Sequence, residues 1–216
     1  MPSASRTRSA SPSHRPQFDY AVAIGRFQPV HRGHMALLQT GLQTASRLVV
    51  LAGSAGQLRN VKNPFTWQER AQMLHAALPE SARSRLRVLG LADQPGRDAD
   101  WVAAVESAVQ AAVRADGADP AAARVALVGH VKDASSYYLG LFSHWPWVEV
   151  ENVAGINATD IRASYFAGEA GADALWRQAA IVPASTVAFL QGFQRTSAWQ
   201  VLRQAWQRQA DGSSPA

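Results

Sequence analysis

A chain of 216 residues with 47% hydrophobic content has room for one sizeable domain, and no window reaches the roughly 18 uninterrupted apolar residues of a membrane-spanning helix. The absence of cysteine excludes disulfides and thiolate metal sites, and leaves the compartment undetermined on redox grounds. Most of the net charge of +5 sits in the first seventeen residues, where Arg6, Arg8 and Arg15 meet no acid; residues 18–216 hold only +2, too little for an electrostatic nucleic-acid binder.

The leader, "MPSASRTRSASPSHRPQ", has the acid-free Arg/Ser composition of a transit peptide but no amphipathic apolar face. It is expected to be a disordered, solvated segment over residues 1–17. After it, strand and helix alternate. "DYAVAI" reads as a buried strand, followed by a helix over about 33–46 with Met35, Leu37, Leu38 and Leu42 on one face. "RLVVLAG" is a second strand, and the polar loop "SAGQLRNVKNPF" leads to a helix opening at Thr66. There Thr66 and Glu69 have the spacing of a capping box. "RLRVLGLA" is a third strand, "DADWVAAVESAVQAAVRA" a long helix, and "ARVALVGH" a fourth strand. A helical run "ASSYYLGLF" precedes a fifth strand, "WVEVENV". From Thr159 onward the chain reads as helical, with a break near "IVPAS" and a frayed end at "QADGSSPA".

Strands this apolar, separated by helices, predict a doubly wound, parallel, five-stranded α/β sheet with C-terminal helices. The core domain is expected over residues 18–193, with a last helix and tail over 194–216. Trp67, Trp145 and Trp147 read as core or interface aromatics.

Chemistry concentrates in "GRFQPVHRGH", Gly25–His34, a strand-to-helix turn of the kind where open α/β sheets place ligands. Gly25 lets the backbone at the strand end approach a ligand closely. His34 opens the following helix, where free amides and the positive dipole end favour an anion, and His31 lies three residues earlier on the same approach. Two imidazoles there suit a phosphate better than zinc, because no third ligand lies nearby.

The turn matches the G-x-F-x-P-x-H-x-G-H signature of nucleotidyltransferases that share a modified dinucleotide-binding fold, and resembles them also in "INATDIR", Ile156–Arg162, against a downstream I-S-x-T-x-x-R pattern. Asn157 stands where that family has Ser; it can still cap a helix. "GSA" at 53–55, "NPFTWQER" at 63–70 and Trp101-Val102 are similar to archaeal-type nicotinamide-mononucleotide adenylyltransferases. "VGHVKDASSYYLGLFSHWPW", 128–147, is similar to the adenylyltransferase half of bifunctional proteins that add a Nudix hydrolase, whose own motif is absent here.

That resemblance, over residues 19–193, implies a Rossmann-like fold and an enzyme that joins nicotinamide mononucleotide to the AMP part of ATP, releasing pyrophosphate. It implies His31, His34 and Arg162 as catalytic, and Gly25, Arg26, Phe27, Lys62, Gly129, His130 and Thr159 on the ATP side. Phe27 could equally be core, Gly129 equally a strand-end turn glycine. Ser54, Asp98 and Trp101 are implied on the mononucleotide side, with Trp101 stacking on the pyridinium and Asp98 reading the carboxamide; the alternative is that Trp101 is core and Asp98 caps the helix. Lys132 and Asp133 could touch the ribose or pair internally. Mg²⁺ is implied on the substrate phosphates, with no metal ligand set in the protein, and the setting is cytoplasmic. ATP and nicotinamide mononucleotide are the expected partners, with no nucleic acid and no membrane; a homo-oligomer is compatible. Other adenylyltransferases of the fold, using a pantetheine phosphate or flavin-type substrate, and a non-catalytic nucleotide or NAD sensor are the competing readings. A substrate panel separates the first and pyrophosphate release the second.

Overall fold

The first strand, β1 (Phe18–Gly25), carries side chains buried on both faces. Ala21 and Ala23 enter one core cluster, Tyr20 and Val22 the other. This is the period-two alternation of an extended chain covered from both sides. The computed structural model describes residues 16–130, 140–151, 153, 155–168 and 174–211.

β1 is central. With β2 (Ala45–Ala52), β3 (Leu86–Gly90), β4 (Val125–Gly129) and β5 (Trp147–Glu149) it forms an all-parallel sheet in the order β3-β2-β1-β4-β5. The expected five-stranded doubly wound sheet is therefore present. Helices α1 (Arg32–Thr44) and α2 (Trp67–Ala77) cover one face, through Leu37, Leu38, Met73 and Leu74. After the single-turn α3 (Glu80–Arg83), which the sequence did not announce, α4 (Asp98–Ala115) crosses the other face and buries Val105, Val109, Ala112 and Val113. The chain returns to the first face with α5 (Ala158–Ala167), a 3-10 turn (Leu175–Arg177), α6 (Ala184–Phe193) and α7 (Ser197–Ala210). Ile161, Tyr165, Trp176, Leu190 and Leu202 anchor these to the same core as β1.

Several boundaries differ from the sequence reading for local reasons. The first helix ends at Thr44 and not at 46, because Ala45 is already extended (φ −129°, ψ 157°) and pairs with Phe18 in the sheet. The fifth strand stops at Glu149 and not at 153, because its one neighbour, β4, ends at Gly129, whose carbonyl accepts a final bond from the Val150 N–H at 2.8 Å. The break expected near "IVPAS" falls between the 3-10 turn and α6. The leader up to residue 15, most of the run "ASSYYLGLF", Lys132, Asp133 and the final five residues lie outside the described part. Among the described residues, no helix is long and apolar enough to cross a membrane.

Candidate functional site

Strand order reverses at β1, with β2 on one side and β4 on the other, so the carboxyl ends of these strands open a crevice. The turn after β1 lines it. Phe27 takes φ 53°, a left-handed conformation that costs a side-chain-bearing residue about 1–2 kcal/mol. Its ring folds back so tightly that a Cβ on Gly25 would lie 3.1 Å from Phe27 Cζ, closer than an ordinary contact, so a side chain there would press on that ring. The Gln28 side chain fixes the turn from the other side: its amide donates to the Phe65 carbonyl at 2.8 Å and its oxygen accepts the Phe65 N–H at 3.0 Å.

His31 caps α1 and is buried. A Cβ on Gly33 would sit 3.1 Å from His31 Cε1, so the second glycine of the motif makes room for that ring. His34 Nδ1 accepts the His31 backbone N–H at 3.2 Å, and the two imidazoles stack with centroids 3.6 Å apart. As an acceptor, Nδ1 carries no proton, so a neutral His34 holds its proton on Nε2. Phe27 backs His34, with ring centroids 4.7 Å apart.

Arg162 reaches this turn from α5. Asn157 caps that helix: its oxygen accepts the Asp160 N–H at 2.9 Å, while its amide donates to the Asp160 carboxylate at 2.6 Å. The Asn that replaces the family Ser thus performs the cap expected of it. One turn later, the Arg162 guanidinium donates to the Gln28 carbonyl at 2.7 Å and to Thr159 Oγ1 at 3.2 Å. Burial, with the Arg26 charge second, pulls Arg162 down to about 10, so it remains a cation at neutral pH whose charge is poorly solvated. An anion beside it relieves that cost.

Arg26, Lys62, Thr159 and Arg162 line one open cavity of ≈ 480 Å³ together with Trp206 and Gln209 of α7. Another cavity of similar volume, ≈ 470 Å³, lies between α4 and the start of β4, at the opposite end of the strands. Its one arginine, Arg124, is paired with Asp19 at 3.0 Å, so it offers no comparable positive charge.

On the other side of β1, the loop after β2 begins with Ser54, also at φ 53° and buried. Its N–H donates to Asp93 Oδ1 at 3.0 Å, and Gln57 donates to Asp93 Oδ2 at 2.7 Å. Asp98 and Trp101 stand together in the first turn of α4, Asp98 exposed. Trp101 is half-buried against the second core, its ring 5.8 Å from that of Phe142. Gly129 ends β4, and His130 Nδ1 lies 3.2 Å from the Val150 carbonyl oxygen. Of the other tryptophans, Trp67 packs on the first core and Trp145 on the second, while Trp147 is exposed on β5.

Four residues beyond the sequence reading shape the site. Arg70, fully buried in α2, donates from Nη1 to the carbonyls of Arg26 at 2.6 Å and Gly53 at 2.7 Å. Asp93 holds Ser54, and its one signal in the sequence is an acid just past the end of a buried strand. Trp206 and Gln209 come from a helix the motifs do not reach.

Comparison with known proteins fits this geometry. Residues 22–164 match the cytidylyltransferase-like family. A nicotinamide/nicotinic acid mononucleotide adenylyltransferase of Acinetobacter baylyi is 35% identical over 194 residues, covering 89% of this chain and 96% of that protein. A nicotinamide-nucleotide adenylyltransferase of Pyrococcus furiosus is 41% identical over 88 residues, 40% of this chain and 47% of that one. Among solved structures, a bifunctional NMN adenylyltransferase/ADP ribose pyrophosphatase from Francisella tularensis, complexed with AMP and a Mn ion, superposes with a TM-score of 0.74 at 26% identity. It is matched over 92% of this chain but only 57% of its own length, so this chain spans little more than half of the bifunctional protein.

Proposed function

The chain belongs to the cytidylyltransferase-like family and, within it, to the nicotinamide/nicotinic acid mononucleotide adenylyltransferases, and we propose that its site joins nicotinamide mononucleotide to ATP in a single in-line displacement. A 5′-phosphate oxygen of the mononucleotide attacks the α-phosphorus, the bond to the β-phosphate oxygen breaks, and NAD and pyrophosphate leave. A phosphate monoester is already a competent nucleophile at neutral pH, so the protein's work is positioning and charge neutralisation.

The observation that carries this reading is the gathering of Arg26, Lys62, Thr159 and Arg162 in one cavity beside the His31–His34 turn at the sheet's reversal point. In this assignment the cations and Thr159 hold the triphosphate, Gly25 and Phe27 shape the floor, and His34 offers Nε2–H to phosphate oxygen. His31 completes the anion site at the α1 N-terminus. Gly129 and His130, at the end of β4, face the nucleoside of ATP. Ser54, Asp98 and Trp101 serve the mononucleotide. Trp101 stacks on the cationic ring, and Asp98 accepts a hydrogen bond from the carboxamide, favouring the amide over the acid form.

Among the described residues, no group of three or more His, Asp or Glu gathers as a metal site. In this reading Mg²⁺ rides on substrate phosphate oxygens and water, where it neutralises charge on the triphosphate. The Mn ion and AMP in the Francisella tularensis structure support use of a divalent ion. A cytoplasmic setting supplies the ATP this reaction consumes. Purified protein with ATP, Mg²⁺ and nicotinamide mononucleotide should yield NAD and pyrophosphate in equal amounts. Pyrophosphate formed instead with 4′-phosphopantetheine or flavin mononucleotide would reassign the substrate, and no pyrophosphate with any of them would overturn catalysis.

A further inference from the structure

We propose that Arg70 is a positioning residue that couples the two halves of the site, acting as an extra rung between β1 and β2 beyond the end of their ladder. The inference rests on the adenylyltransferase reading. The β1–β2 register ends at Gly25 opposite Ala52, and the Gly53 N–H makes the last bond, to the Gly25 carbonyl at 2.9 Å. Past that point both chains leave the sheet. Each does so through a left-handed residue: among the described residues, Phe27 and Ser54 are the two non-glycines at positive φ, both at 53°.

The carbonyls immediately before these residues, on Arg26 and Gly53, are the two that Arg70 Nη1 holds, at 2.6 and 2.7 Å. A carbonyl and the N–H of the next residue share one rigid peptide plane. Holding each oxygen therefore sets the plane from which Phe27 and Ser54 turn. Phe27 then backs His34 on the phosphate side, and Ser54 meets Asp93 on the side assigned to the mononucleotide. One planar nitrogen with two hydrogens serves both carbonyls, so their separation and direction are fixed together. The guanidinium is itself held, with Nε donating to the Thr66 carbonyl at 3.2 Å and no exposure to solvent. Burial pulls it down to about 10, with Asp93 and then Glu69 opposing, so it is a cation throughout the neutral range.

The test uses the full chain with Arg70→Met and Arg70→Lys, at a temperature well below each variant's Tm. Dissociation constants for a non-hydrolysable ATP analogue and for nicotinamide mononucleotide are measured separately by calorimetry, and kcat by NAD formation. A folded Arg70→Met should lose about 100-fold in kcat, the scale of an ångström of misplacement, and weaken both ligands together. Arg70→Lys, which returns a donor to the same two carbonyls, should regain at least about tenfold of that kcat. A folded Arg70→Met within about threefold of wild type in kcat, or weakening of one ligand alone, would overturn the coupling. Should Arg70→Met fail to fold, Arg70→Lys decides: both dissociation constants raised with kcat lowered supports the rung, whereas a lower Tm with unchanged constants reduces Arg70 to a structural brace. Wild-type protein that binds the ATP analogue yet makes no NAD would fail the catalytic reading, and the binding arm would still decide on Arg70.

Discussion

The two ends of the proposed site are built differently. At the phosphate end, His31 and Arg162 are buried, and Arg162 is bonded to the main chain of the turn it serves. At the mononucleotide end, Asp98 is exposed and Trp101 half-buried, on a helix whose N-cap, Arg97, makes no capping bond through its side chain. A triphosphate has the same charge pattern in every reaction, so a rigid array of donors set beforehand serves it best. In the proposed assignment, choice between pyridine rings rests on one exposed carboxylate and one half-buried indole.

That contrast has measurable consequences. His34→Ala should lower kcat/KM by at least ~100-fold, the order lost with one transition-state donor, with the Tm nearly kept because the ring is only half-buried. A near-normal rate would mean that the phosphate end is held by the arginines alone. At the other end, wild-type protein should prefer nicotinamide over nicotinate mononucleotide by about tenfold in kcat/KM, since Asp98 repels a second carboxylate. Asp98→Asn should shrink that ratio without touching KM for ATP. An unchanged ratio moves the reading of the ring to another group, with Asp93, bonded to Ser54, next in line.

Trp206→Ala tests whether the phosphate end includes α7. It should raise KM for ATP by no more than about fivefold, the range of an ordinary contact, and leave KM for the mononucleotide alone. Equal KM values for wild type and variant would place α7 outside the site. The smallest effect belongs to the cap of α2, the helix that carries Arg70. Burial opposes ionisation of Glu69, but hydrogen bonds from Arg59 and from the Thr66 N–H outweigh it and hold the carboxyl below its usual 4.5. A depressed carboxyl stabilises the fold above its unfolded value and loses that contribution as pH falls through its folded one. Glu69→Gln should therefore cost about 1 kcal/mol at pH 7, with turnover unchanged. Thermal melts of the two proteins should converge below pH 4.5.

What was readable in the sequence was local. The turn motif, the Thr66–Glu69 capping box and the Asn157 cap each span a few residues, and each has the contacts its spacing implies. The apolar runs between helices named all five strands, although β5 was read too long because an edge strand ends where its neighbour does. Arg70 was not readable, since its partners lie 44 and 17 positions away and a lone arginine in a helix reads as solvated surface. Trp206 was missed for a similar reason: α7 docks through Leu202 onto a core assembled from the whole chain, and only that docking brings the indole to Arg26 and Lys62.

The central place of β1 also governs how the chain must be made. β1 gains β2 early, Phe18 pairing with Ala45, but its other edge waits for Val125, which pairs with Tyr20 after 105 intervening steps of synthesis. Through that interval the nascent polypeptide exposes a strand edge flanked by Ala21, Val22 and Ala23, all of them fully buried at the end. Such an edge is a template for pairing with another chain. Slower synthesis over residues 45–129 is therefore expected to lower the yield of folded protein by lengthening that exposure.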